Sequence, residues 1–146
     1  MRAVVDTSVL VDIFLVSRPR HLIAIRLVPL VNSDLLEVWV PFSSAFELSA
    51  AIKNEKLSKP IDIDKSIQWT KPFKLLQIPI DENFFNKYFD ISLPYIKAGD
   101  LLFLALAKGE NIPLVTEDER LRMRALEAGV AAHTTEDFLN TFYPGS

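Results

Sequence analysis

The stretch AVVDTSVLVDIF, residues 3–14, indicates how this chain folds. Its first three residues are apolar and lead directly into a carboxylate, Asp6, after which apolar residues return at helical spacing, as at Val9 and Ile13. This pattern predicts a short buried strand followed at once by a helix. Asp6 is then either the N-cap of that helix or a functional acid at the end of the strand.

Strands and helices alternate along the remaining sequence. Short apolar or β-branched segments at 37–41, 75–80 and 112–116 predict strands. Helical spacing covers 43–57, and the almost wholly apolar segment 99–109 predicts a buried helix. Such alternation predicts an α/β fold, namely a three-layer α/β/α sandwich around a central, mostly parallel sheet.

Further segments complete the predicted order of elements. Pro19 can begin a helix through 22–31, which Pro29 either kinks or ends, and residues 81–96 combine helical spacing with many aromatic side chains. The other predicted elements are a short helix at 62–70, a helix at 117–129 ending at Gly129, a strand at 130–134 and a last helix at 135–142.

Length and composition narrow the class of protein. A chain of 146 residues predicts a single domain, residues 1–146. The absence of cysteine excludes disulfides and thiolate metal sites and is typical of the reducing cytoplasm, where we expect the protein. Asp6 and Asp12 interrupt the apolar N-terminus, and no uncharged run is long enough for a membrane span, so we expect no membrane association. A net charge of −3 excludes nucleic-acid binding by overall positive charge alone.

Four acids follow or open elements at positions where an α/β sheet would bring them together. Asp6 and Asp118 come just after predicted strands, Glu47 lies one turn into the helix after the strand at 37–41, and Asp100 opens the apolar helix. Ligands bind at the carboxyl ends of strands in open parallel sheets, and we therefore expect these acids at one edge.

Each acid also has a purely structural interpretation, because helix starts attract carboxylates. Ser44 and Glu47 have the spacing of a capping box. Thr116 and Glu119 have it as well, and in that case Asp118 would only favour the helix dipole. Asp6 would be an N-cap, and Asp100 an ordinary first-turn acid.

Convergence of the acids would have a chemical consequence. Carboxylates that share a site repel one another and raise at least one pKa, unless a divalent cation lies between them. The chain offers hard carboxylate oxygens, no cysteine and no clustered histidine, and this donor set indicates Mg²⁺ or Mn²⁺ rather than Zn²⁺.

The ordered motifs resemble those of the PIN-domain ribonucleases, in particular the VapC-type toxins of VapBC type II toxin–antitoxin pairs. The residues that carry the resemblance are VVDTSVLVD (4–12), SSAFELSAAI (43–52) and AGDLLFLALAKGENIPLVTEDERL (98–121). They include an acid after the first strand followed by Thr and Ser, an early helix Glu, an Asp leading an apolar helix, and a strand ending in Thr-x-Asp. The resemblance spans nearly the whole chain in the expected order.

The resemblance implies a Mg²⁺- or Mn²⁺-dependent endoribonuclease that hydrolyses RNA phosphodiester bonds, with a PIN-like fold. It assigns both catalysis and metal binding to four acids, Asp6, Glu47, Asp100 and Asp118. Thr7 and Thr116 would either hydrogen-bond the metal ligands or simply cap helices, and Glu117 is the one plausible substitute for Asp118. The implied partners are an RNA substrate, a small antitoxin protein and a second copy of the chain. The alternatives are a free-standing RNA-processing nuclease and a non-catalytic PIN-like interaction module.

The sequence gives less support to a functional role for other residues and to other classes of protein. We expect Asp12 to be solvated and His21 and His133 to have no role in the site. A receiver-like domain would need an acceptor Asp where Pro41 ends a strand. A haloacid-dehalogenase-type phosphatase would need Asp-x-Asp where this chain has an Asp followed by Thr and Ser at 6–8.

Overall fold

The computed structural model of the chain describes residues 1–54 and 74–146. The helix predicted at 62–70 and the end of the helix predicted at 43–57 therefore lie outside the described residues. The described strands are β1 (Arg2–Val5), β2 (Glu37–Pro41), β3 (Leu75–Ile78), β4 (Leu114–Val115) and β5 (Ala132–His133). The described helices are α1 (Thr7–Phe14), α2 (His21–Ala24), α3 (Leu27–Asn32), α4 (Ser43–Asn54), α5 (Glu82–Tyr88), α6 (Ala98–Glu110), α7 (Glu119–Glu127) and α8 (Thr135–Phe142).

The five strands form one parallel sheet in the order β3-β2-β1-β4-β5. In the central strand, Val4 pairs with Trp39 on one side and with Leu114 on the other. The chain builds β2 and β3 to one side of β1 and later crosses to build β4 and β5 on the other. The carboxyl end of β1, where Asp6 lies, is therefore a topological switch point, the place where such sheets open a crevice.

Helices cover both faces of the sheet. Ala3 and Val5 face a core formed with α1, α3 and α8, whereas Val4 faces the opposite core, which contains the buried centre of α6. This arrangement requires an apolar residue at each of the three buried positions of β1, residues 3–5, since successive side chains point to opposite faces. The fold is thus the predicted three-layer α/β/α sandwich with a parallel sheet.

Two predicted helices are shorter than their sequence patterns suggested. The segment 22–31 breaks into α2 and α3 at Ile25 and Arg26 rather than at Pro29. Pro29 instead occupies the first turn of α3, where backbone N–H groups have no intrahelical partner and proline is tolerated. The aromatic segment 81–96 is helical only as far as Tyr88.

The expectation that Asp12 is solvated is wrong. Its side chain is only 2% exposed and its Oδ1 lies 3.2 Å from Nε of Arg18. Asp12 is therefore a buried, paired acid of α1. Within residues 1–54 and 74–146, no helix has both the length and the apolar character needed to cross a membrane.

Candidate functional site: an acidic edge of the sheet

Asp6 lies at the carboxyl end of β1, where three hydrogen bonds hold its carboxylate. It is the N-cap of α1, where its Oδ1 accepts a hydrogen bond from the backbone N–H of Thr7 at 2.8 Å. Its other oxygen, Oδ2, accepts hydrogen bonds from Oγ1 of Thr116 at 2.7 Å and from Oγ of Ser8 at 2.9 Å. The side chain is 5% exposed, so these three donors hold a nearly buried carboxylate in one orientation at the switch point.

The electrostatics of Asp6 favour its protonated form. Burial raises the pKa of this carboxyl above its ordinary value, and the charge of Asp100 raises it further. Hydrogen bonds from Thr116, Ser8 and Thr7 oppose that rise without cancelling it. A positive charge placed beside Asp6 would therefore be strongly favoured.

The turn after β4 presents the second acid. Asp118 is the N-cap of α7, and its Oδ1 accepts a hydrogen bond from the Leu121 N–H at 3.1 Å. The capping box that the spacing from Thr116 to Glu119 allowed is not formed, because α7 begins two residues later than that box requires. Oγ1 of Thr116 instead accepts from the Asp118 N–H at 3.0 Å while donating to Asp6. Thr116 thereby joins the two acids through one hydroxyl.

Glu47 lies one turn into α4, which begins at Ser43. Ser44 is inside the helix rather than at its N-cap, so the alternative capping box between Ser44 and Glu47 is not formed either. Burial raises the pKa of Glu47, as do the charges of Asp6 and Asp100. The hydroxyls of Ser43 and Thr7 lie near enough to lower that pKa in part, yet neither has a hydrogen-bond partner of good geometry among the described residues.

Asp100 lies in the first turn of α6, as the sequence predicted. Burial raises its pKa and the charge of Asp118 raises it further, whereas the cations Lys97 and Arg120 lower it. A Cβ atom built on Gly99 would lie 3.8 Å from Oε1 of Glu47, so the amino end of α6 runs directly beside α4. The four predicted acids therefore share one edge of the sheet and act on one another electrostatically.

The residues at this edge fit a hard divalent cation. All four acids offer carboxylate oxygens, and the unpartnered hydroxyls of Thr7 and Ser43 are suited to the water shell that Mg²⁺ usually keeps. In the part of the chain that the structure describes, no three acidic or histidine side chains already form a cation-binding cluster. A bound ion would thus require the acidic side chains to rotate towards one another.

No role was predicted for Ser8, whose hydroxyl donates directly to Asp6. The signal available was a second hydroxyl residue two positions after the strand-end acid, since the first turn of a helix returns such a side chain towards its N-cap. The two histidines contact groups outside the acidic edge. Nδ1 of His21 lies 2.9 Å from the backbone oxygen of Asp12, and the ring of His133 packs edge-on against Phe138.

Comparisons with known proteins agree with this geometry. The family model described as "PIN domain" matches residues 3–126. A structure of VapBC2 from Rickettsia felis, bound to a DNA fragment from their promoter, is 16% identical with a TM-score of 0.63, covering 92% of this chain and 98% of that one. VapBC-1 from nontypeable Haemophilus influenzae is 17% identical with a TM-score of 0.60, covering 93% of this chain and 99% of that one.

An archaeal structure shares the fold as well. A PilT N-terminus domain protein from Sulfolobus solfataricus is 17% identical with a TM-score of 0.58, covering 100% of this chain and 97% of that one. No curated protein matches the chain. These structural likenesses concern the fold, whereas the family model matches the sequence over most of its length. The chain belongs to the PIN domain family.

Proposed function

We propose that this chain is a divalent-metal-dependent endoribonuclease that acts as the toxin of a VapBC-type pair. PIN domains are generally nucleases, and the observation that carries the proposal is the acidic edge. Four carboxylates arrive there from four different elements, and the pKa values of Asp6, Glu47 and Asp100 are all raised. Perturbed acids that converge on a crevice are typical of functional sites rather than of helix caps.

Asp6 and Asp100 are the proposed direct ligands of Mg²⁺ or Mn²⁺, with Asp118 completing the site directly or through water. When bound, such an ion would activate water and offset charge on the scissile phosphate. Ser8 and Thr116 keep Oδ2 of Asp6 in a fixed direction. Glu47 is placed to bind the ion or to orient the attacking water.

Cations near the edge would help to hold a polyanionic substrate. Lys97 and Arg120 are exposed and close enough to Asp100 to lower its pKa. A chain with a net charge of −3 repels RNA at long range, so local cations of this kind must supply the attraction at the site.

The test is cleavage of a mixed RNA pool by the purified chain with Mn²⁺, with Mg²⁺ and with a chelator. We expect metal-dependent cutting that Asp6→Asn and Asp100→Asn abolish. Glu119→Gln is the matched control, because Glu119 is an exposed acid of α7 beside Asp118 that makes no contact with Asp6. Cutting that survives either Asn variant would contradict the assigned site. A chain that binds Mn²⁺ but cuts no RNA would favour the non-catalytic interaction module.

An antitoxin and self-association are part of the same proposal. The chain shares its fold with structures of VapBC assemblies, and the exposed apolar side chains Val16 and Leu22 between α1 and α3 could be covered by a partner. The product of a short neighbouring reading frame should bind the chain and suppress cleavage, and light scattering should report a dimer. Without such a frame, a free-standing RNA-processing enzyme is favoured.

A further inference from the structure

We propose that Glu117 is a positioning residue that fixes the turn between β4 and α7, so that Thr116 and Asp118 keep their orientation towards Asp6. Its effect on activity rests on the proposed nuclease function, whereas its effect on the turn does not. From the sequence alone, Glu117 is the one plausible substitute for Asp118. The structure gives it a different role.

Both carboxylate oxygens of Glu117 are already engaged. Oε1 accepts a hydrogen bond from the Thr135 N–H at 2.9 Å, and Oε2 lies 3.2 Å from Nε of Arg20. The Glu117 side chain is 10% exposed, whereas that of Arg20 is 53% exposed. A carboxylate buried to this degree and paired on both oxygens is poorly placed to ligate a cation.

The Thr135 N–H is the first amide of α8, one of the donors that a helix cannot satisfy by itself. A carboxylate at this position also interacts favourably with the positive end of the helix dipole. Glu117 therefore joins the turn after β4 to α8 and, through Arg20, to the segment between α1 and α2.

The backbone of the same residue is tied to the first acid. The Glu117 N–H donates to Oγ of Ser8 at 3.2 Å, and that hydroxyl donates to Oδ2 of Asp6 at 2.9 Å. Thr116, the preceding residue, donates to the same oxygen of Asp6, and Asp118, the following residue, caps α7. The side chains of Thr116 and Asp118 thus face the acidic edge. The side chain of Glu117, between them, points the other way and contacts α8 and Arg20.

Loss of this anchor should loosen the turn without dismantling β4 or α7, because their own hydrogen bonds remain. The Asp118 N–H to Oγ1 of Thr116 and the Leu121 N–H to Oδ1 of Asp118 are the bonds that would open more often. Mutation of the residues that orient metal ligands through hydrogen bonds typically lowers metal affinity by about 10- to 100-fold.

The experiment compares the wild-type chain with Glu117→Ala, Glu117→Gln and Glu127→Ala. Gln keeps an acceptor for the Thr135 N–H and loses the charge that faces Arg20. Glu127→Ala is the matched control, because it removes an ion pair within the neighbouring helix α7, with Arg124 at 3.0 Å, where both side chains are exposed. The measurements are amide hydrogen exchange, Mn²⁺ binding by calorimetry without RNA, and the kcat and KM of RNA cleavage.

In Glu117→Ala we expect faster exchange at the amides of residues 118 and 121, Mn²⁺ binding weakened about tenfold, and a lower kcat at subsaturating Mn²⁺ with KM for RNA unchanged. Glu117→Gln should fall between Ala and wild type, and Glu127→Ala should match wild type. If Glu117→Ala does not fold, Glu117→Gln is compared with the wild-type chain and with Glu127→Ala by the same measurements.

Unchanged exchange at both amides in the Ala and Gln variants would overturn the proposal, as would exchange that rises equally in Glu127→Ala. If the wild-type chain neither binds Mn²⁺ nor cuts RNA, the proposed function fails. Faster exchange confined to the Glu117 variants would still support the positioning role in that case. The two failures are therefore distinguishable.

Discussion

Replacing Thr116 with valine would test the hydroxyl that joins the end of β4 to Asp6. Thr116 is fully buried, and its Oγ1 makes two hydrogen bonds, one to Asp6 at 2.7 Å and one from the Asp118 N–H at 3.0 Å. Valine has nearly the same shape and fills the same space. The change therefore removes the hydrogen bonds with little effect on packing.

The expected cost follows from those two bonds. A bond to a charged carboxylate contributes about 1.5–3 kcal/mol and a neutral bond about 0.5–1.5 kcal/mol, so the free energy of unfolding should fall by about 2–4.5 kcal/mol. For a chain of this size, that corresponds to a Tm lower by about 5–15 °C. The bond from Thr116 also lowers the pKa of Asp6, so its loss should raise that pKa further.

The assay is urea and thermal unfolding at pH 7 in chelator, with Thr116→Ser as the matched control. Serine keeps the hydroxyl and loses one methyl group, at a cost of about 1 kcal/mol. The higher pKa of Asp6 in the valine variant should also weaken Mn²⁺ binding more at pH 6 than at pH 8, since the ion needs the ionised carboxylate. A valine variant as stable as the serine variant would refute the bridging role of this hydroxyl.

Three further predictions concern charge and packing. The pKa values of Asp6, Glu47 and Asp100 are raised, so the folded state binds the protons of these carboxyls more tightly than the unfolded state does. The stability that this binding contributes is therefore fully present below the ordinary carboxyl pKa of about 4. It is lost as the pH rises through the raised pKa values of the folded state. Urea midpoints measured in chelator should show this fall. Asp100→Asn should make the chelated protein more stable at pH 7 and flatten the same pH profile, and an unchanged profile would contradict the charge interactions. Gly109→Ala would place a Cβ against the ring of Tyr88 and should lower stability by about 1–2 kcal/mol, whereas a gain in Tm would show that helix propensity dominates.

Local patterns in the sequence were enough to predict the layers of this fold. The run of apolar residues at 3–5 is buried, and the apolar segment 99–109 forms most of α6. Residues 3–5 are apolar because a strand covered on both faces leaves no position for a polar side chain. In α6 the buried part is its centre, residues 103–107. The order of the acids along the chain likewise placed all four at the carboxyl edge of the sheet.

Local spacing could not show which hydroxyl or amide each acid meets. Neither capping box that the spacing allowed is formed, because each helix begins two residues away from the start that its box requires. Asp12 was expected in solvent and is buried, since Arg18 folds back to pair with it.

The amino-acid sequence by itself determined the alternation of strands and helices, the parallel sheet, and the position of the four acids at the carboxyl edge of that sheet. Only the tertiary structure decided how those acids are held. Thr116 reaches Asp6 across 110 residues of sequence, Glu117 reaches Ser8 across 109, and Arg20 pairs with that same Glu117. Contacts of this kind arise because parallel neighbours β1 and β4 end side by side, a proximity that no local periodicity encodes.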